Sequence, residues 1–156
     1  MDETAGQQDI LHGWRCEAEG LTAKGFSRWV AARLAESEAE LAGLTAVQGQ
    51  RTLANTLEAY DRAVAQLSLA GSQAGVLNSV AADQAVRDQA QAEAVRVAQV
   101  ATALSLNRAV YDALCGLDGA ELAAASAPTR HYVERTRQGY RLAGVDKDEQ
   151  TRSRLA

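Results

Sequence analysis

The side chains able to do chemistry in this chain are few and scattered. The histidines are His12 and His131. A zinc site of the His-Glu-x-x-His kind needs two imidazoles one helical turn apart with a glutamate base between them, and neither histidine has that context. His131 and Glu134 stand three residues apart and could meet on a helix. Two ligands do not hold a catalytic zinc, so a helix-surface pairing is the expectation. Asp61, Glu93 and Asp112 are candidate acids, but no spacing singles out two of them as an acid–base pair, and charged residues on helices usually form solvated faces. Cys16 and Cys115 are far apart, form no Cys-x-x-Cys unit, and are expected as buried free thiols. Cys115 has no histidine near it in sequence, so nucleophilic catalysis has no local support. The stretch "AGSQAG", Ala70–Gly75, lacks the Gly-Lys-Ser/Thr ending and the preceding strand of a phosphate cradle. Tyr60, Tyr111, Tyr132 and Tyr140 recur at helical positions and read as core rather than as a ligand platform. No residue is assigned a catalytic, cofactor-binding or metal-ligating role.

The elements that must carry these side chains are helices. One proline in 156 residues, few aromatics, and abundant Ala, Leu, Gln, Glu and Arg favour helix throughout, and no stretch alternates as a strand. Phe26, Val30, Leu34, Ser37, Leu41 and Leu44 mark one helical face. Leu53, Leu57, Tyr60, Val64 and Leu67 step by four, three, four and three along a second helix, which Gly71 and Gly75 weaken and which ends near Ser79. Asp83 is placed to cap a third and longest helix, whose stripe runs Val86, Ala90, Glu93, Val97, Val100, Leu104, Asn107, Tyr111, Leu114. Glu93 and Asn107 interrupt that stripe and need partners if buried. "CGLDG", Cys115 to Gly119, closes it, and a fourth helical region spans about Ala120 to Ala143, with Pro128 starting a new segment or kinking it. There Val133, Thr136 and Tyr140 share one face, and Arg130, Glu134, Arg137 and Arg141 another. The predicted fold class is all-α, an antiparallel bundle of about four long helices.

Composition narrows the function classes. Leu 17, Val 12 and one each of Ile and Phe make the large aliphatic and phenylalanine content about a fifth of the chain, so the core is thin and rich in alanine. Net charge is -4, too small to enforce disorder. Residues 1–50, 51–129 and 130–156 carry -4, -3 and +3. The basic end has no lysine-rich run and the rest repels phosphate, which argues against a nucleic-acid partner. The opening "MDETAGQQDI" lacks the basic start and apolar run of a signal peptide. No apolar stretch is long enough to span a bilayer. The expectation is no membrane partner and a cytoplasmic protein.

The last residues, "YRLAGVDKDEQTRSRLA", read as a helix junction. Gly144 suits the left-handed residue that ends a helix, and Asp146 with Glu149 reads as the capping box of another. The predicted organisation is therefore a loosely ordered N-terminus at 1–21, a helical lobe at 22–145, and the start of a further, truncated helix at 146–156.

Taken in order, four segments carry a likeness: "RTLANTLEAYDRAVAQL" (Arg51–Leu67), "VAADQAVRDQAQ" (Val80–Gln91), "NRAVYDALCGLD" (Asn107–Asp118) and "VERTRQGYRLAGVDKDEQTRSRLA" (Val133–Ala156). Asn55–Thr56–Leu57, Arg87, Tyr111–Leu114 and Gly144 to Arg152 are the positions on which it rests. In their order and spacing they resemble the N-terminal part of thimet-oligopeptidase-type (oligopeptidase A-like) zinc metallopeptidases, over most of residues 25–156. The resemblance implies an almost wholly helical fold, with two lobes flanking a channel that admits short, unstructured peptides. It also implies a catalytic zinc held by His-Glu-x-x-His and a later glutamate, in a C-terminal half that this chain lacks. On that footing the chain is a channel-wall lobe whose partners are the remainder of the peptidase and, in the whole protein, short peptides. Zinc belongs to the parent family, with none expected in this chain, which alone is expected to be inactive. The alternative is a stand-alone helical-bundle interaction module without enzymatic activity, binding through an exposed apolar face.

Overall fold

The computed structural model of the chain describes residues 21–148. The expectations for His12, Cys16, Glu149 and Arg152 lie outside the described residues, as does most of what was expected of 1–21 and 146–156. The described chain is all-α, with six α-helices and one π-helical turn. Helix α1 (Ala23–Ala46) starts on Thr22, whose hydroxyl accepts from the Gly25 amide, and buries Phe26, Val30, Leu34, Ser37 and Leu44. Its predicted face is thus the observed one, with Leu41 half-buried at its edge.

The connection to the next helix is knotted by side chains. Thr52 and Asn55 form a reciprocal cap that opens the π turn Leu53–Leu57. The Thr56 hydroxyl, fully buried, donates to Asn55 Oδ1 at 2.8 Å. α2 (Glu58–Val80) continues directly from that turn and ends one residue beyond the expected stop. Ala63, Ala70 and Ala74 on α2 and Ala90 on α3 (Gln84–Ser105) have no exposed surface. A Cβ on Gly71 of α2 would lie 3.4 Å from Val97 of α3. Small side chains let helix axes approach closely, which is how an alanine-rich sequence still builds a core.

Asp83 caps α3 as expected, accepting from the Ala85 amide. The expected single helix to Leu114 is instead two. α3 stops at Ser105 and Asn107 begins α4 (Arg108–Cys115), its side chain accepting from the Val110 amide. Asn107 is therefore an exposed cap and not a polar gap in a buried stripe. The break also shifts the core face to Val110, Ala113 and Leu114, and α3, at 22 residues, is shorter than α1 at 24. The expected fourth helix is likewise divided, into α5 (Gly119–Ala124), capped by Asp118, and α6 (Ala127–Ala143), capped by Ser126 with Pro128 in its first turn. Proline is tolerated there because first-turn amides lack intrahelical partners anyway. α6 ends on Gly144 at φ 100°, the left-handed stop expected from the sequence, and Val145 beyond it is fully buried.

One device recurs at the helix ends. The last carbonyls of a helix have no intrahelical donors. Arg51 donates to the Leu44 and Thr45 carbonyls of α1, and Arg87 to Ala81 and Ala82 at the end of α2. Arg137 donates to Leu114 of α4, and Arg130 to Ala123 and Ala125 at the end of α5. Four helices are thus closed by arginines from elsewhere in the fold, which also complement the negative helix ends. Among the described residues no helix is long and apolar enough to cross a membrane.

Candidate functional site

The candidate acids go to three different places. Asp112 is exposed and pairs with Arg108 one turn away, at 2.8 Å. Asp61 is exposed on α2 and accepts from the Tyr132 hydroxyl of α6 at 3.1 Å. Glu93 is the exception to the solvated-face reading, since its side chain is 5% exposed. Ser27 Oγ donates to Glu93 Oε1 at 2.6 Å and Gln89 Nε2 at 2.9 Å, while Arg96 reaches Oε2 at 3.5 Å. Ser27 lies on α1 and Glu93 on α3, so the buried carboxylate joins these two helices. A buried charge is tolerated when hydrogen-bonded and paired.

His131 and Glu134 are both exposed on α6, and no ion pair joins them among the described residues. No group of three or more His, Cys, Asp or Glu among the described residues could hold a metal ion, so the zinc of the resembling family has no fitting donor set there. The Cys115 thiol is free, but exposed where a buried one was expected. Core-facing Leu114 precedes it, and the next residue on a helix is turned about 100° round, which carries Cys115 out to solvent.

What the fold does bring together are the tyrosines. Tyr60 of α2 and Tyr140 of α6 are buried with ring centroids 6.2 Å apart, and Tyr111 of α4 lies 5.9 Å from Tyr140. For Tyr60 and Tyr140 the core reading holds. Tyr132, at 37% exposed, does not belong to the core. It stands at the lip of a groove of about 560 Å³ whose walls come from α2, α3 and α6, with Val64 and Leu67 facing Val97 and Leu104. A second groove of about 660 Å³ shares Tyr132 and continues past Glu58, Asp61 and Arg62 to Pro128. The two grooves meet at Tyr132, whose hydroxyl reaches Asp61, and side by side they make a trough along α2 and α6, apolar in its inner part and charged in its outer part.

The phenols in this trough are held protonated. Burial pushes Tyr60 and Tyr140 up, the neighbouring Tyr60 hydroxyl adding to the effect at Tyr140. Burial, and then the hydrogen bond to Asp61, push Tyr132 up to about 12. The Tyr140 hydroxyl is buried and has no hydrogen-bond partner among the described residues. Neutral phenols and aliphatic walls suit binding in the inner part of the trough.

Sequence reasoning found each tyrosine but not the trough, because Tyr60 and Tyr132 are neighbours only after α6 folds back over α2. It also missed Asp118. That carboxylate caps α5 through the Glu121 amide and accepts from Gln50, and these bonds, the amide first, hold it below the usual carboxylate range. Its place three residues before Glu121 was the available signal. No protein-family model matches the chain, and no curated protein matches it.

Proposed function

We propose that this chain is an N-terminal helical, channel-wall part of a thimet-oligopeptidase-type zinc metalloendopeptidase acting on short peptides, the catalytic half being a partner rather than a part of it. One observation carries the reading: the positions on which the resemblance rests coincide with the joints of the fold. Asn55–Thr56–Leu57 forms the π turn that launches α2. Arg87 closes the end of α2, Leu114 fills the core under the Arg137 cap, and Gly144 takes the left-handed stop of α6. Residues that set helix junctions are the ones a shared scaffold would keep, whatever chemistry it serves. The described helices then supply shape and a wall, and the zinc, its ligands and the water-activating glutamate belong to the other half. In this reading the helices are one lobe of a larger bundle in a cytoplasmic enzyme.

The test has two parts. Reading the gene beyond Ala156 should reveal His-Glu-x-x-His. The purified chain should carry no stoichiometric zinc by elemental analysis and cleave no quenched fluorescent peptide. A gene that stops at Ala156 with no such motif in any adjoining frame sinks the proposal.

A second reading, the stand-alone interaction module, is favoured by the trough itself, an apolar cleft with an exposed tyrosine at its lip. Cooperative melting as a monomer supports it, whereas molten or oligomeric behaviour fits an orphaned lobe.

A further inference from the structure

The trough between α2 and α6 differs from an ordinary surface cleft in how its charge is arranged. Its inner part, between Leu67, Val97, Leu104 and Tyr140, is lined by no charged side chain. Its outer part holds Glu58, Asp61 and Arg62. Arg62 is already committed: its Nε and one terminal nitrogen donate to the two Glu40 carboxylate oxygens at 2.9 and 3.0 Å. Among the described residues Glu58 is exposed and in no ion pair, though it feels the Arg62 charge, and Asp61 accepts from the neutral Tyr132 hydroxyl. The mouth therefore carries an excess of negative charge: Glu58 and Asp61 line it, and the Arg62 guanidinium beside them is already held by Glu40. The positive end of α6 also lies at this mouth, but Ser126 takes the Thr129 amide and Arg130 is turned back onto the Ala123 and Ala125 carbonyls.

We propose that this trough binds a short peptide segment of a partner chain in which aliphatic side chains sit beside arginine or lysine. The aliphatic groups fill the space between α2, α3 and α6, and the cation sits over Glu58 and Asp61 beside the Tyr132 ring. Apolar contact supplies affinity, and the paired carboxylates select against acidic peptides. Tyr132 serves both ends: its ring covers the aliphatic part, its face attracts a cation, and its hydroxyl fixes the Asp61 carboxylate. The inference requires neither zinc nor hydrolysis, and it gives the interaction-module reading a partner of defined chemistry.

The experiment uses the full chain and fluorescein-labelled synthetic peptides followed by anisotropy. The probe is Arg-Leu-Ala-Leu-Arg; the controls are Glu-Leu-Ala-Leu-Glu and Arg-Ser-Ala-Ser-Arg. The expected result is saturable binding of the first, weaker by about tenfold or more for either control. The double substitution Glu58→Gln, Asp61→Asn should weaken the first peptide by about tenfold, and so should Tyr132→Ala. Glu36→Gln with Glu38→Gln, which removes the same charge from α1, should leave it unchanged. Circular dichroism melts confirm that each variant folds, and Glu58→Gln alone serves if loss of Asp61 perturbs α6. Equal loss with the α1 pair would mean unspecific attraction to an acidic protein and overturns the proposal. So does a chain that dimerises through Tyr132 and ignores peptide, which puts a second copy in the trough. A chain that melts cooperatively as a monomer but binds none of the peptides keeps the module reading and removes this one.

Discussion

The joint between α1 and α3 and the trough between α2 and α6 each place a polar group below the surface, and they treat it in opposite ways. At the first, the Glu93 carboxylate is surrounded by Ser27, Gln89 and Arg96. At the second, the Tyr140 hydroxyl is buried with no partner among the described residues, beside a groove of about 560 Å³. A satisfied buried charge belongs to the architecture, because removing any partner leaves a desolvation cost behind. An unsatisfied hydroxyl beside an open apolar wall is a cost the fold tolerates without structural return. The closed joint explains why the helices hold; the open one is where binding is to be sought.

The contrast can be broken most forcefully at the core that both regions share. Leu114 is fully buried, next to the face that receives Arg137, whereas Leu142 on α6 is 79% exposed. Leu114→Ala should cost about 3 kcal/mol in urea unfolding, as buried leucine truncations do. Leu142→Ala should stay within about 0.5 kcal/mol. Equal effects would mean that α6 is not docked as described, and the trough would lose one wall.

Next in size is the closed joint. Ser27→Ala should destabilise by about 2 kcal/mol, because it removes a 2.6 Å hydrogen bond to a charged group that stays buried. Made in a Glu93→Gln background, the same change should cost clearly less, since a neutral amide depends less on that donor. Denaturant melts of the four proteins give the coupling directly. Additive losses would show that Glu93 is not the object of the Ser27 bond.

A smaller effect is expected at the helix ends. Arg137→Met keeps the apolar stem but withdraws the donors from the Leu114 carbonyl, and should cost about 1 kcal/mol. These arginine caps mark where sequence reading ran out. Helical stripes are local, so the buried face of α1 and the α3 cap at Asp83 could be read from spacing alone. In the sequence Arg137 reads only as one member of the face it shares with Arg130, Glu134 and Arg141, because the carbonyl it serves lies 23 residues earlier. The same holds for Glu93, whose Ser27 donor is 66 residues away, and for Asp61 and Tyr132, 71 apart. The α3–α4 break escaped for another reason. Leu104, Tyr111 and Leu114 keep a helical rhythm across it, and Asn107 looks like a polar flaw until its side chain is seen to cap. The candidate trough was thus illegible as a whole while each of its tyrosines was legible alone.

The smallest expected change has the opposite sign and bears most directly on the open region. Tyr140→Phe removes a hydroxyl that is desolvated without a hydrogen bond in return, so it should raise stability slightly, by about 0.5 kcal/mol. A loss of 1 kcal/mol or more, about the size of one hydrogen bond, would mean that the hydroxyl has a partner in solution, and the contrast with Glu93 would close. Alkali gives a second handle on the same group. Tyr60, Tyr132 and Tyr140 all have raised phenol pKa values in the fold, so the folded chain holds these protons more tightly than the unfolded one. Their contribution is complete below the ordinary phenol value of about 10. It falls as pH climbs through that value toward about 12 for Tyr132, where the unfolded chain has already released its protons. Stability measured by urea melts should therefore decline above about pH 10. The decline should be shallower in Tyr140→Phe, which has one fewer proton to lose on unfolding. Phenolate absorbance should rise together with the loss of helix rather than before it. If these tyrosines instead ionise freely while the helices stay intact, the region is wetter than its burial implies, and the trough is an open channel to water rather than an apolar cleft awaiting an apolar side chain.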